Sequence, residues 1–193
     1  MKNLIIILTF LLLATFTSLP ALAANGSEET PKAVTERLST TLKKGDWEGY
    51  SRLMHPEALA RFRKMFAPLA DLPDAQEALP ALFGVEGPEQ FRKLTDREVF
   101  VRLMANLEES VPGFGEALRN LEMTVVGQVP EGNDLMHVVY RSDTAVDKLT
   151  VTSTNVLTLR RTAGGWRVLL TANIEGLAEQ LLSTFGTVEQ QEE

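Results

Sequence analysis

Two periods of hydrophobicity divide the chain. Between Thr30 and about Asn120 apolar residues return every three or four positions, as on one face of a helix; from Leu121 they alternate with polar residues, as along a strand. In the first half Val34, Leu38 and Leu42 make one stripe behind Thr30-Pro31, a capping residue followed by proline at the first helical position. Lys43-Lys44 suit the negative end of that helix and Gly45 closes it. Asp46 caps a second short helix carrying Trp47, Tyr50, Leu53 and Met54, which His55-Pro56 ends because a residue before proline avoids the α region. Pro56 opens a third helix with Leu59, Phe62 and Phe66 on one side, ending before Pro68. Through Ala67–Leu94 the prolines at 68, 73, 80 and 88 predict breaks between short helical pieces such as Asp74–Leu79 and Glu89–Leu94. Thr95-Asp96-Arg97-Glu98 is a capping box ahead of Val99, Phe100, Leu103, Met104 and Leu107. A loop at Val111–Gly115 then leads to a short helix, Glu116–Asn120.

The second half reads as antiparallel strands. Leu121, Met123 and Val125 share one face, as do Met136, Val138 and Tyr140, with the turn cluster Pro130–Asp134 between them. A long strand over about Lys148–Arg161 puts Thr150, Thr152, Thr154 and Thr158 on one side. Leu149, Val151, Ser153, Asn155, Leu157 and Leu159 fall on the other. Thr162–Gly165 closes a hairpin into Trp166, Val168, Leu170 and Ala172, and Ile174–Phe185 reads as a final helix. The fold class expected is therefore α+β: N-terminal helices packed on a curved, mainly antiparallel sheet, with a C-terminal helix. One domain, residues 30–186, is expected between a flexible leader at 24–29 and an acidic tail at 187–193.

Met1–Ala23 has the three parts of an export signal: Lys2, an apolar run over Leu4–Leu13, and Ala21 and Ala23 as an A-x-A cleavage site after Pro20. Thr15, Thr17, Ser18 and Pro20 interrupt the length a spanning helix needs. The expectation is an exported protein, periplasmic or extracellular, with no membrane association after cleavage. The absence of cysteine removes disulfides, thiolate metal sites and a cysteine nucleophile, and two histidines cannot make an all-histidine site. A net charge of −7 argues against nucleic acid as the main partner. No metal and no cofactor are expected.

The order of elements, together with Lys44-Gly45-Asp46-Trp47 and Tyr50, then Leu53-Met54-His55-Pro56-Glu57-Ala58-Leu59, and the hairpin from Arg160 to Leu169, resembles the NTF2-like superfamily. That resemblance implies a cone in which helices pack into the concave face of a curved sheet around a pocket. It also implies isomerases, dehydratases, transport factors and inactive binding modules among the relatives, so the fold leaves function open. Catalytic relatives place a carboxylate, histidine or tyrosine inside the cone, and related folds dimerise through the outer sheet face.

The inward face assigned by alternation holds no acid and no histidine, which speaks against acid–base catalysis. His55 sits between two helices as a cap, and His137 points outward. Ser153 and Asn155 are the polar exceptions in an apolar row, and either a ligand or neighbouring backbone could satisfy them. The candidate site is a cavity where Tyr50, Tyr140, Ser153 and Asn155 converge, walled by Met54, Phe100 and Met104. The function expected is non-catalytic binding of a small apolar ligand or a protein partner, with a homodimer as a third role. The alternative is a cone-fold isomerase, dehydratase or hydrolase using His55 or Tyr140 for proton transfer.

Overall fold

The structure is a computed structural model that describes residues 29–72, 75–146, 149–171, 174–176, 178–180 and 182. The export signal at 1–23, the leader before residue 29 and the tail at 187–193 lie outside the described residues. Among the described residues no helix is long and apolar enough to cross a membrane.

Helix α1 (Pro31–Lys44) begins where the Thr30 hydroxyl accepts from the Ala33 amide, with proline at the first helical position. It ends at Gly45 in the left-handed region (φ 64°), where the Gly45 and Asp46 amides donate to the Leu42 and Thr41 carbonyls at 3.1 and 2.9 Å. A Cβ on Gly45 would stand 2.7 Å from Glu108 Oε2, the movable end of a side chain, so it is the positive φ that calls for glycine. Helix α2 (Trp47–Leu53) starts on Asp46, whose carboxylate accepts from the Gly49 amide at 2.7 Å. Helix α3 (Pro56–Phe66) is capped by His55 and runs into a 3₁₀ turn over Ala67–Asp71.

The proline-rich stretch is more helical than the sequence predicts. Helix α4 (Ala75–Phe83) carries Pro80 in its interior instead of stopping before it. The proline forfeits one helical hydrogen bond, but Leu79 and Phe83 on either side are fully buried, and their packing holds the turn. Helix α5 (Pro88–Lys93) follows. Two arginines fasten this layer: Arg63 donates to the carbonyls of Leu94 and Arg92, and Arg92 reaches Asp71 at 2.8 Å. Helix α6 (Asp96–Ser110) opens on the capping box, with Glu98 N to Thr95 Oγ1 at 3.2 Å and Thr95 N to Glu98 Oε2 at 2.7 Å. Helix α7 (Phe114–Arg119) begins two residues before the expected Glu116. Of the expected C-terminal helix, the described residues 174–176, 178–180 and 182 are helical.

Four strands follow in a meander, β1 (Leu121–Glu131), β2 (Leu135–Val146), β3 (Leu149–Thr162) and β4 (Gly165–Val168), in spatial order 1-2-3-4 and antiparallel throughout. A register shift between Val125 and Gly127 leaves Val126 as an extra residue, and such a bulge bends and twists its strand. The last strand is shorter than the run to Ala172 that its pattern predicts. Beyond it the α2–α3 junction docks on the sheet: Met54 bridges Val168, and the His55 amide donates to the Val168 carbonyl at 2.8 Å.

The core lies between helices and sheet. Six aromatic rings run through it in series: Tyr50, Phe100, Phe62, Phe66, Phe83 and Phe91, with successive centroids 5.0–5.4 Å apart. Such pairs contribute about 0.5–1.5 kcal/mol each beyond their buried area. The series leads from the far helical layer to the inner face of the sheet, and Tyr50 is its last member.

Candidate functional site

Where the helices spread from the sheet they leave a cavity of about 310 Å³. Its apolar wall comes from Leu38 and Leu42 of α1, Phe100 and Met104 of α6, and Phe114 and Leu118 of α7. Its floor is the inner sheet face, and Thr171 and Ile174 approach from the C-terminal side. Trp47 braces the wall from behind, stacked on Phe114 at 6.4 Å and donating its indole N–H to Glu108 at 2.8 Å. No cavity-lining residue among those described is charged.

The polar part of the floor is a block of four residues on two strands. Strand register sets Tyr140 opposite Asn155 and Ser142 opposite Ser153, all on the helix-facing side. Ser142 Oγ and Ser153 Oγ are 2.7 Å apart, and Asn155 Nδ2 donates to both, at 3.0 and 2.9 Å. The 2.7 Å contact fixes the amide orientation. One hydroxyl proton must lie between the serines, so only one remains, and a flipped amide oxygen could not accept from both. The three groups thus satisfy one another through side chains, an outcome distinct from both the ligand and the backbone pairing considered for Ser153 and Asn155. The block still has one serine proton to donate and the Asn155 carbonyl oxygen to accept.

Tyr50 completes the polar surface from the helical side. Its ring stacks on Phe100 at 5.3 Å, while its hydroxyl reaches the cavity near Tyr140. Neither tyrosine hydroxyl has a hydrogen-bond partner among the described residues. Burial raises the Tyr50 pKa well above its ordinary value, with Tyr140 adding to the effect, and burial raises that of Tyr140 too. Both phenols are therefore held protonated, as donors into the cavity.

Tyr50, Phe100, Met104, Tyr140, Ser153 and Asn155 all line this one space. Met54 does not: it adopts extended backbone (φ −75°, ψ 147°) as the cap of α2, and lines a separate shallow depression with Pro56, Leu59 and Arg97. The cause is Pro56, which ends the helix and turns Met54 onto the edge of β4 instead of continuing the Tyr50 face. His55 is also outside the cavity lining, and its Nδ1 accepts from the Glu57 amide at 3.2 Å as a helix cap. His137 lies on the outer face between Thr158 (3.0 Å) and Glu131 (2.6 Å). Val151 shares the inner face but is 57% exposed and outside the cavity lining, two register pairs beyond Ser142–Ser153, where it faces Thr144. The side chain of Leu149, and Ala172, lie outside what is described.

The residue missed by the sequence reading is Ser142. Alternation through Met136, Val138 and Tyr140 points to it at the next step, and it is the buried hub of the polar block, 9% exposed. Leu38, Leu42, Phe114, Leu118, Thr171 and Ile174 are further omissions, recognisable only once the packing is known, while Leu121, Met123 and Leu157 are expected on the inner face but not in the site.

No protein-family model matches the sequence, and no curated protein matches it at significant similarity. Among solved structures the fold is similar to an NTF-2 like protein of unknown function from Shewanella oneidensis MR-1, at 15% identity and a TM-score of 0.40. The match covers 71% of this chain and 89% of that one. The likeness is distant, and the α+β architecture rests on the element order and sheet described above.

Proposed function

We propose that the chain is an exported, non-catalytic module that holds a small apolar ligand in the cavity between helices and sheet. The observation carrying this reading is a cavity of about 310 Å³, apolar on its helical side, with hydrogen-bonding capacity left over on its sheet side. The catalytic alternative draws no support from its two nominated residues. His55 caps a helix away from the cavity, and burial raises the Tyr140 pKa, which makes its phenol a weaker acid and withholds the phenolate a base would need. A protein partner or second copy would instead use the outer sheet face, where Val126, Val129 and Val156 are more than half exposed. The cavity is the more specific feature, since singly exposed valines are ordinary on a sheet surface.

Uptake of the neutral fluorophore N-phenyl-1-naphthylamine tests the binding half of the proposal. The expected result is one saturable site, lost in Leu118→Trp, where the larger ring fills the cavity rim. A wild-type protein that takes up no probe would count against the reading. The export half rests on the Met1–Ala23 pattern alone. Intact mass of material expressed with that segment tests it, and the expected mature chain begins at Ala24.

A further inference from the structure

We infer that the cavity selects ligands with an uncharged, hydrogen-bonding head group, a medium-chain alcohol, amide or undissociated acid, over the matching carboxylate or ammonium. The inference rests on the reading of the cavity as a binding site and names the chemistry of what it takes.

The free hydrogen-bonding groups decide the head. Facing the cavity are the hydroxyls of Tyr50 and Tyr140, neither bonded to any described residue, and the remaining proton of the Ser142–Ser153 pair. Asn155 spends both amide protons on the serines and keeps its carbonyl oxygen as the acceptor. The sheet floor thus sets donors beside an acceptor, with Tyr50 adding a donor from the helical side, matching a group that itself both donates and accepts. An amide, an alcohol or a protonated acid does so. A carboxylate only accepts, and an ammonium only donates.

Charge decides in the same direction. No described lining residue carries a charge to pair with an ionised head, so whatever water that head gives up beside the half-open polar block is not made good by a counter-charge. Both phenols resist ionisation, so neither becomes a counter-ion for a cation near neutral pH. Size fixes the tail. A cavity of about 310 Å³ holds roughly ten water volumes, room for a ligand of about ten non-hydrogen atoms, such as octanamide. The tail then lies along Leu38, Leu42, Phe114 and Leu118, with the head on the sheet block.

The test is a matched series, octanol, octanamide, octanoate and octylammonium, titrated calorimetrically into the purified protein at about pH 7.5. The first two are expected to bind, and the two ions at least tenfold more weakly. Octanoate alone should gain affinity as pH falls towards 5, because its acid form appears near a pKa of about 4–5. Asn155→Leu combined with Ser142→Ala should weaken octanamide at least fivefold and narrow the gap between octanamide and octanoate, because the groups that favour the neutral head are gone. The wild-type series decides the matter even if that double variant does not fold. Ions binding as tightly as the neutral heads would overturn the inference and leave the cavity-binding reading intact. So would uptake of the fluorophore with no binding of the four octyl compounds. Failure of all five probes would remove both.

Discussion

At the scale of single residues, the two tyrosines make the cavity's state readable, because the chain contains only Tyr50 and Tyr140. Burial raises the pKa of both in the folded protein. Above an ordinary tyrosine pKa of about 10 the unfolded chain releases protons that the folded chain keeps, so stability falls as pH rises through and beyond that value. An absorbance titration at 295 nm should place the midpoints of both phenols above the ordinary value while the protein stays folded. Tyr50→Phe should flatten the alkaline loss of stability. A normal titration of both residues in folded protein would show that their hydroxyls are not buried. At neutral pH the same Tyr50→Phe change removes a hydroxyl without a described partner, so thermal stability is expected to hold or rise. Asn155→Leu is different. It strips two donated hydrogen bonds from Ser142 and Ser153, yet those serines keep each other, and Ser153 is exposed to water. A loss of about 1 kcal/mol or less in chemical denaturation is expected, and a loss of 3 kcal/mol would mean the block is a structural keystone.

At the scale of elements, caps were legible because they are local. Thr30, Asp46 and the Thr95–Glu98 box are each closed by residues within three positions, so the sequence alone carries the instruction. Strand faces were legible for a similar reason, since alternation survives wherever no bulge intervenes. The single register shift falls in β1 after Val125, past the residues whose facing mattered for the site. Pro80 shows the opposite case. Local rules end a helix before it, but Leu79 and Phe83 bury themselves against partners distant in sequence, and tertiary packing carries the helix through. The proline is itself exposed, so it contributes little packing. Pro80→Ala should therefore restore a helical hydrogen bond without opening a void. The expected gain is about 1–3 kcal/mol, measured by urea denaturation and partly offset by a more flexible unfolded chain. A destabilised variant would mean that the proline ring packs in a way its exposure hides. Gly45→Ala should act in the other direction by about 1 kcal/mol, through its positive φ, with the Glu108 carboxylate shifting to make room.

At the scale of the whole molecule, the site was only half legible, and the dividing line is the sheet. The floor followed from alternation because β2 and β3 each present every second residue to one face. The wall needs the crossing of three helices, which no spacing encodes; the four-residue step from Tyr50 points Met54 at it, and Pro56 turns Met54 away. The ring series ties wall to core. Phe100 belongs both to the cavity and to the series, whereas Phe91 ends the series on the far side and lines no part of the cavity. Substituting each by leucine should therefore separate stability from binding. Phe91→Leu leaves a space in a fully packed layer and is expected to cost about 1–3 kcal/mol, with N-phenyl-1-naphthylamine affinity unchanged within twofold. Phe100→Leu should cost a similar amount and also shift the probe's affinity or emission, because the cavity loses the ring that stacks on Tyr50 and sets where its hydroxyl points. If both variants disturb the probe equally, the helical layer moves as one body and the cavity's shape is set by the packing of the whole core. If neither does, Tyr50 is held by Trp47 and its own helix, and the aromatic series is scaffolding that stops short of the site.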